Sequence, residues 1–142
     1  MKIAIGSDHG GYKLKEKIKK YLRGKRVQLK DFGAFSEESV DYPDIGRAVA
    51  KAVARKRYKY GILVCGSGLG MSMVANKVKG IRAAVCHNIY TAEMARRHND
   101  ANVLSLGGRV LKGKLPLKMV DKFLKTRFEG GRHSRRVKKI GR

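Results

Sequence analysis

The chain has 142 residues, 34 of them Lys or Arg and 11 Asp or Glu, for a formal net charge of +23. Its 42% apolar content is enough for one packed core, which excludes intrinsic disorder, and the length suits a single domain over residues 1–142. No apolar run approaches the roughly 20 residues that cross a bilayer, and Met1-Lys2 runs at once into Ile3-Ala4-Ile5 without the apolar stretch of a secretion signal. A soluble cytoplasmic protein with no membrane partner is expected.

Short β-branched runs alternate with longer amphipathic stretches, the pattern of βαβ units and a parallel sheet. Residues 3–5 are the first strand. Beyond Gly6-Ser7-Asp8-His9-Gly10-Gly11, the residues Leu14, Ile18 and Leu22 recur every fourth position among Lys and Arg, a helix with one apolar face that Gly24 ends. Residues 27–29 make a short second strand. A loop with Ser36, Ser39, Asp41 and Pro43 follows, and Ile45, Val49 and Val53 mark a second helix with Pro43 in its first turn. Residues 61–65 form a continuous apolar run, as expected of a central strand buried on both faces, and enter the glycine-rich stretch 66–70 directly. Residues 71–79 read as a helix closed by Gly80, 81–86 as the fourth strand, 90–97 as a helix and 103–106 as the fifth strand. Pro116 opens a long helix whose buried face is Val120, Phe123 and Leu124, and an almost wholly basic tail follows from Gly130.

Two cysteines, Cys65 and Cys86, do not make a disulfide framework, and free thiols are expected. There is no CxxC, no HExxH and no run of His with carboxylates at metal-ligand spacing, so no metal is expected.

An open parallel sheet binds ligands at the carboxyl ends of its strands. Three polar loops are expected there: Ser7-Asp8-His9, Cys65 to Gly70, and the region from His98-Asn99-Asp100 to Gly107-Gly108-Arg109. Alternate glycines at 66, 68 and 70 ahead of a helix let backbone N–H groups converge on an anion, although a tight strand-to-helix turn uses the same residues. The spacing is not that of a dinucleotide fingerprint, and a phosphate or an oxyanion fits it better. Cys65, at a strand end just before a helix, is placed where a thiolate is favoured and can serve as base or nucleophile, whereas Cys86 reads as a small core residue. Asp8 and His98 each have a plain reading as helix-end residues. Arg132 and Arg136, four apart after Gly130-Gly131, would share a helix face and clamp a phosphate, in a stretch that also reads as a solvated basic surface.

Taken in order, the segments GSDHGGYKLK, DYPD, CGSGLGMSMVANKVKGIRAAVC, ARRHNDANVLSLGGRV and EGGRHSRRV closely resemble the type B ribose-5-phosphate isomerase family, which also contains galactose- and allose-6-phosphate isomerases. The resemblance implies a single Rossmann-like α/β domain of three layers, with a five-stranded parallel sheet and a basic helical tail over 132–142. It further implies a cofactor-free aldose–ketose isomerase acting on a sugar phosphate, working as a homodimer or tetramer with active sites between subunits. Carried onto matching positions, Cys65 would be the proton-transfer base with Ser67 assisting, and the N–H groups of residues 66–70, Gly66, Gly68 and Gly70 among them, would hold a cis-enediolate. His98 would open the furanose ring, Asp8 and Asn99 would hold the sugar, Tyr42 would line its pocket, and His9, Arg109, Arg132 and Arg136 would take the phosphate. Some members replace the cysteine by a glutamate in the following helix, where this chain has Met71. Because the site set is complete in one chain, the resemblance favours ribose 5-phosphate, with a six-carbon sugar phosphate as the alternative.

The charge exceeds what a sugar phosphate needs. Residues 11–30 hold nine Lys or Arg against Glu16 alone, residues 47–59 hold six with no acid, and the tail from Arg132 holds six. A rival function is therefore nucleic-acid binding on the same fold, expected to be weak and nonspecific because no recognition motif is present and aromatics are only 7%.

Overall fold

The computed structural model describes residues 1–141. Strands β1 (Lys2–Ser7), β2 (Gln28–Asp31), β3 (Tyr60–Cys65), β4 (Ala83–Val85) and β5 (Val103–Gly107) pair in parallel throughout, in the order β2-β1-β3-β5-β4. Helices α1 (Tyr12–Leu22), α2 (Tyr42–Ala54), α3 (Leu69–Asn76), α4 (Ile89–Arg97), α5 (Leu115–Lys125) and α6 (Arg132–Ile140) flank it, and a 3-10 turn over His9–Gly11 joins β1 to α1. None of them is long and apolar enough to cross a membrane.

The period-2 alternation of the strands decides which layer each side chain enters. Ile3, Ile5, Ile62, Val64, Leu104 and Leu106 pack against α1, α4 and α5 through Ile18, Ala92 and Phe123. Ala4, Leu63, Cys65 and Val103 point the other way, onto Val49 and Val53 of α2 and Met71 and Ala75 of α3. These are the three expected layers. Fully burying a residue such as Ile62 or Leu63 stabilises by about 1.5–3 kcal/mol.

Element boundaries differ from the sequence expectation where tertiary packing overrides local pattern. β2 lies one residue later than expected, at the sheet edge, with Gln28 and Lys30 exposed. The fourth strand keeps only three of six expected residues, because Ile81 still closes a turn onto Val78 and Cys86 has left the ladder with one hydrogen bond to Ser105. α3 starts two residues earlier than expected, since Gly68, at φ 83°, turns the chain sharply enough for Leu69 to begin the helix. The tail is mostly helical: α6 buries His133 and exposes its cations.

From β1 the chain moves outward to β2, and α2 then carries it back past β1 to β3. The direction of winding reverses between β1 and β3, which opens a crevice at their carboxyl ends.

Candidate active site

A cleft of about 500 Å³ occupies that crevice, lined by Asp8 just after β1, Tyr42 at the start of α2, Cys65 at the end of β3, Ser67 in the β3–α3 loop, Gly70 in the first turn of α3, and Arg109 after β5. Cys65 is the last residue of a strand buried along its whole length, and is itself 5% exposed. Its Sγ accepts a hydrogen bond from Gly68 N–H at 3.1 Å. Leu69 N–H donates to Ser67 Oγ at 3.2 Å. Of the five N–H groups expected to face an anion, two are therefore already engaged. Gly66, Ser67 and Gly70 keep N–H groups with no acceptor among the described residues, beside the start of α3. A side chain at Gly68 would meet the backbone of Leu106 at 3.0 Å, and one at Gly70 would meet the Tyr42 ring at 2.7 Å. The loop can thus be made only this way, with Tyr42 packed on its open side.

Asp8 is both the helix-end residue and the cleft residue that its position allowed: Oδ1 caps Gly11 N–H at 3.0 Å while the residue lines the cleft. His9 accepts from Val40 N–H through Nδ1 at 3.3 Å and lines a neighbouring depression of about 390 Å³ with Lys13, Glu37 and Arg109. Arg109 lines both hollows and forms no ion pair among the described residues, so its guanidinium, against Gly10 and Gly66, is open to an anion between them. Cys86 is 1% exposed, and burial, partly offset by Thr91, pushes its thiol up to about 11, so it is inert at neutral pH.

His98 and Asn99 are not in this cleft. They precede β5 rather than follow it, and the expected grouping at the carboxyl edge is overturned by strand direction. Asn102 O accepts from Gly61 N–H, which places this loop at the amino ends of β3 and β5. From Gly61 to Cys65 is four steps of about 3.3 Å, so the loop lies at least about 13 Å along the strand from the thiol. Arg82 and Arg96 both pair with Asp100, at 3.2 and 2.8 Å, and tie the loop to α4 and to the start of β4.

At this edge the fold assembles a second polar cluster. The rings of His98 and His133 stack at 4.2 Å and 11°. Glu129 pairs with Arg97 at 2.8 Å and stands 3.6 Å from His133 Nε2, which is buried without a hydrogen bond. Arg97 holds the Glu129 carboxyl below its usual range, while burial and the adjacent His98, with Arg132 and Arg136, outweigh Glu129 and lower His133. Arg132 and Arg136 lie four apart on α6, exposed and without an ion pair among the described residues. The ligand atoms of His98, Glu129 and His133 lie within 4.8 Å of one another, a His/carboxylate group that linear spacing did not reveal. The i, i+4 spacing of Glu129 and His133 was its one local signal.

The residues singled out in the sequence therefore fall into two clusters on opposite edges of one sheet, and the chain that carries them matches a known family. The ribose/galactose isomerase family model matches residues 3–140. The chain belongs to that family. Ribose-5-phosphate isomerase B of Escherichia coli K12 is 47% identical to it over 139 residues, 98% of this chain and 93% of that one. Among solved members of the family, the Clostridium thermocellum ribose-5-phosphate isomerase B superposes with a TM-score of 0.97 at 57% identity, covering 99% of this chain and 95% of the other. The Mycoplasma genitalium ribose-5-phosphate isomerase B, solved with bound ribulose 5-phosphate, superposes with a TM-score of 0.93 at 45% identity over 98% of this chain and 93% of its own.

Proposed function

We propose that the protein interconverts ribose 5-phosphate and ribulose 5-phosphate by proton transfer, at sites completed by a second copy of the chain. The observation that carries the chemistry is Cys65: a thiol at a strand end, held by Gly68 N–H, with the free N–H groups of Gly66, Ser67 and Gly70 beside it. As thiolate, Cys65 removes the proton from C2 of the open aldose. The electron pair becomes the C1–C2 double bond, and the negative charge on O1 falls to the loop N–H groups. The proton returns from sulfur to C1, the O2 hydroxyl proton passes to O1 with Ser67 assisting, and the ketose results. Base and donors both come from the chain, so the reading includes no metal or organic cofactor. Met71 is fully buried against Gly46 and offers no carboxylate, which leaves Cys65 without a substitute.

Ring opening falls to His98 and the hold on the sugar to Asp8 and Asn99, while His9, Arg109, Arg132 and Arg136 bind the phosphate. Because His98, Asn99, Arg132 and Arg136 stand at the far edge from Cys65, they reach a cleft only from another copy. Two features around the cleft support this. Leu69 (50%), Met73 (65%) and Val110 (51%) leave apolar side chains exposed beside it. The preceding β2–α2 loop carries Glu37, Glu38 and Asp41, opposite in sign to α6. A two-fold axis would pair each carboxyl edge with the partner's amino edge and make two equal sites.

A coupled assay without added metal, on ribose 5-phosphate and allose 6-phosphate, tests the reading with Cys65→Ala in parallel. Turnover of ribose 5-phosphate that the substitution abolishes is expected. A variant that keeps most of its activity would remove Cys65 from the base role, and preference for allose 6-phosphate would move the substrate to six carbons.

A further inference from the structure

Beside β2, β1 and β3, at their amino ends, three segments meet that take no part in either half of the site. Gln28 N–H donates to Met1 O and Lys59 N–H to Lys2 O, both at 2.8 Å, so the N-terminus, the α1–β2 turn and the α2–β3 turn form one continuous surface. It carries Lys2, then Arg23, Lys25 and Arg26, then four more cations between positions 55 and 59. All eight are exposed, and none forms an ion pair among the described residues. No Asp or Glu occurs in these segments. A shallow groove of about 230 Å³, lined by Lys2, Gln28, Leu29, Lys30 and Tyr58, extends the surface along the edge strand.

Helix ends account for only part of this. The carboxyl termini of α1 and α2 point here, but each presents a charge of about −0.5, far short of eight cations. Steering of a small anionic substrate does not account for it either, since steering needs positive charge at the mouth of the cleft, and the cleft is at the other edge. Uncompensated like charge at this density works against the compact state, and a polyanion across it would relieve that repulsion.

We propose that this pole binds the phosphate backbone of duplex nucleic acid, without regard to sequence, as an activity separate from isomerisation. A duplex sets one phosphate per about 1.7 Å of axis against the surface and suits a broad face of fixed cations. No exposed aromatic stands on it to stack with bases, which matches backbone rather than base contact. A lipid surface is the poorer fit, because Met1 is the one large apolar side chain exposed here.

The test is fluorescence anisotropy of the full chain with a labelled duplex of mixed sequence, across 50–200 mM NaCl. With about five phosphates neutralised, affinity should fall several hundredfold over that range. The variant Lys25→Glu/Arg26→Glu/Lys56→Glu/Arg57→Glu should reduce the salt slope by about four and weaken binding more than about 100-fold. Its circular dichroism and isomerase rate should match those of the parent, and its thermal midpoint should be no lower. A matched variant on α5 and its approach, Lys112→Glu/Lys118→Glu/Lys122→Glu/Lys125→Glu, changes net charge equally and should lose less than about fivefold. Equal losses in both variants would overturn the assignment, as would a salt-insensitive affinity. So would capture by phosphatidylserine vesicles with the duplex ignored. Isomerase activity plays no part in the binding readout, so failure of either reading leaves the other standing.

Discussion

The two edges of the sheet hold their functional residues by different means. At the carboxyl edge, backbone closes on backbone: a side chain at Gly107 would meet Ser67 O at 2.7 Å, and one at Gly108 would meet Gly10 O at 2.8 Å. The parts of that site are short loops directly after strands, placed by the main chain itself. At the amino edge, side chains do the holding. Arg82 and Arg96 clamp Asp100, Arg97 clamps Glu129, and His133 stacks on His98. The proposed base, its N–H donors and Arg109 thus sit on a glycine scaffold, while His98, Arg132 and Arg136 sit on a pole assembled from α4, α6 and the loop before β5. On the proposed reading neither edge alone is a complete site for isomerisation.

The largest effects should come from disabling one edge at a time. Cys65→Ala and His98→Asn should each lower kcat by about 100-fold or more. Mixing the two inactive variants after unfolding and refolding together should return about one quarter of wild-type activity, because half of the random dimers are mixed and each has one intact site. No recovery on mixing would place each site within one chain and defeat the two-copy reading.

Next in size is the support of the carboxyl edge. Lys15, with no exposed side-chain surface, pairs with Asp31 at 2.8 Å and also donates to Ala34 O. Asp31→Asn leaves that ammonium buried without its counter-charge and should cost about 3–5 kcal/mol, read by urea denaturation. Burial alone would raise the Asp31 pKa, but Lys15, Lys19 and Gly33 N–H together hold it below its ordinary 3.8. A folded value below the unfolded one means that its stabilisation is complete above pH 3.8 and is lost as pH falls towards the lowered value. Asp31→Asn should flatten that acid limb.

Arg136→Ala tests the other edge more gently. A charged hydrogen bond to a phosphate remote from the reacting carbons is made equally in ground and transition states, so KM should rise about tenfold or more with kcat little changed. A fall in kcat at unchanged KM would assign Arg136 to the chemical step. The smallest effect belongs to His133. With its folded pKa below 6.5, the unfolded chain takes up the proton first, and the thermal midpoint should decline as pH drops through 6.5. His133→Phe keeps a ring against His98 and should reduce that dependence without touching the carboxyl edge.

Legibility in the sequence followed the same division. Residues 61–65 and the glycines after them announce a central strand and an anion loop because both signals are local: consecutive apolar residues and backbone space within six positions. Asp8, Cys65, Ser67 and Gly70 could be placed at the carboxyl edge because each lies directly after a strand. Sequence places His98 at the wrong edge, since a loop before a strand and a loop after it look alike along the chain while their ends stand a strand length apart. Glu129 and His133 carry no role legible in sequence, because their meaning depends on α6 folding back onto the end of α4.

By itself the sequence determined the α/β alternation, the strands that are buried on both faces, the free thiols and the family, all of which rest on periodicity or on residues adjacent along the chain. Only the tertiary structure decided that α6 brings His133 and Glu129 to His98, that two clusters of site residues occupy opposite edges, and that eight cations from three distant segments share one face. Those facts arise from strand direction and long-range packing, which bring together residues up to tens of positions apart and which no local pattern encodes.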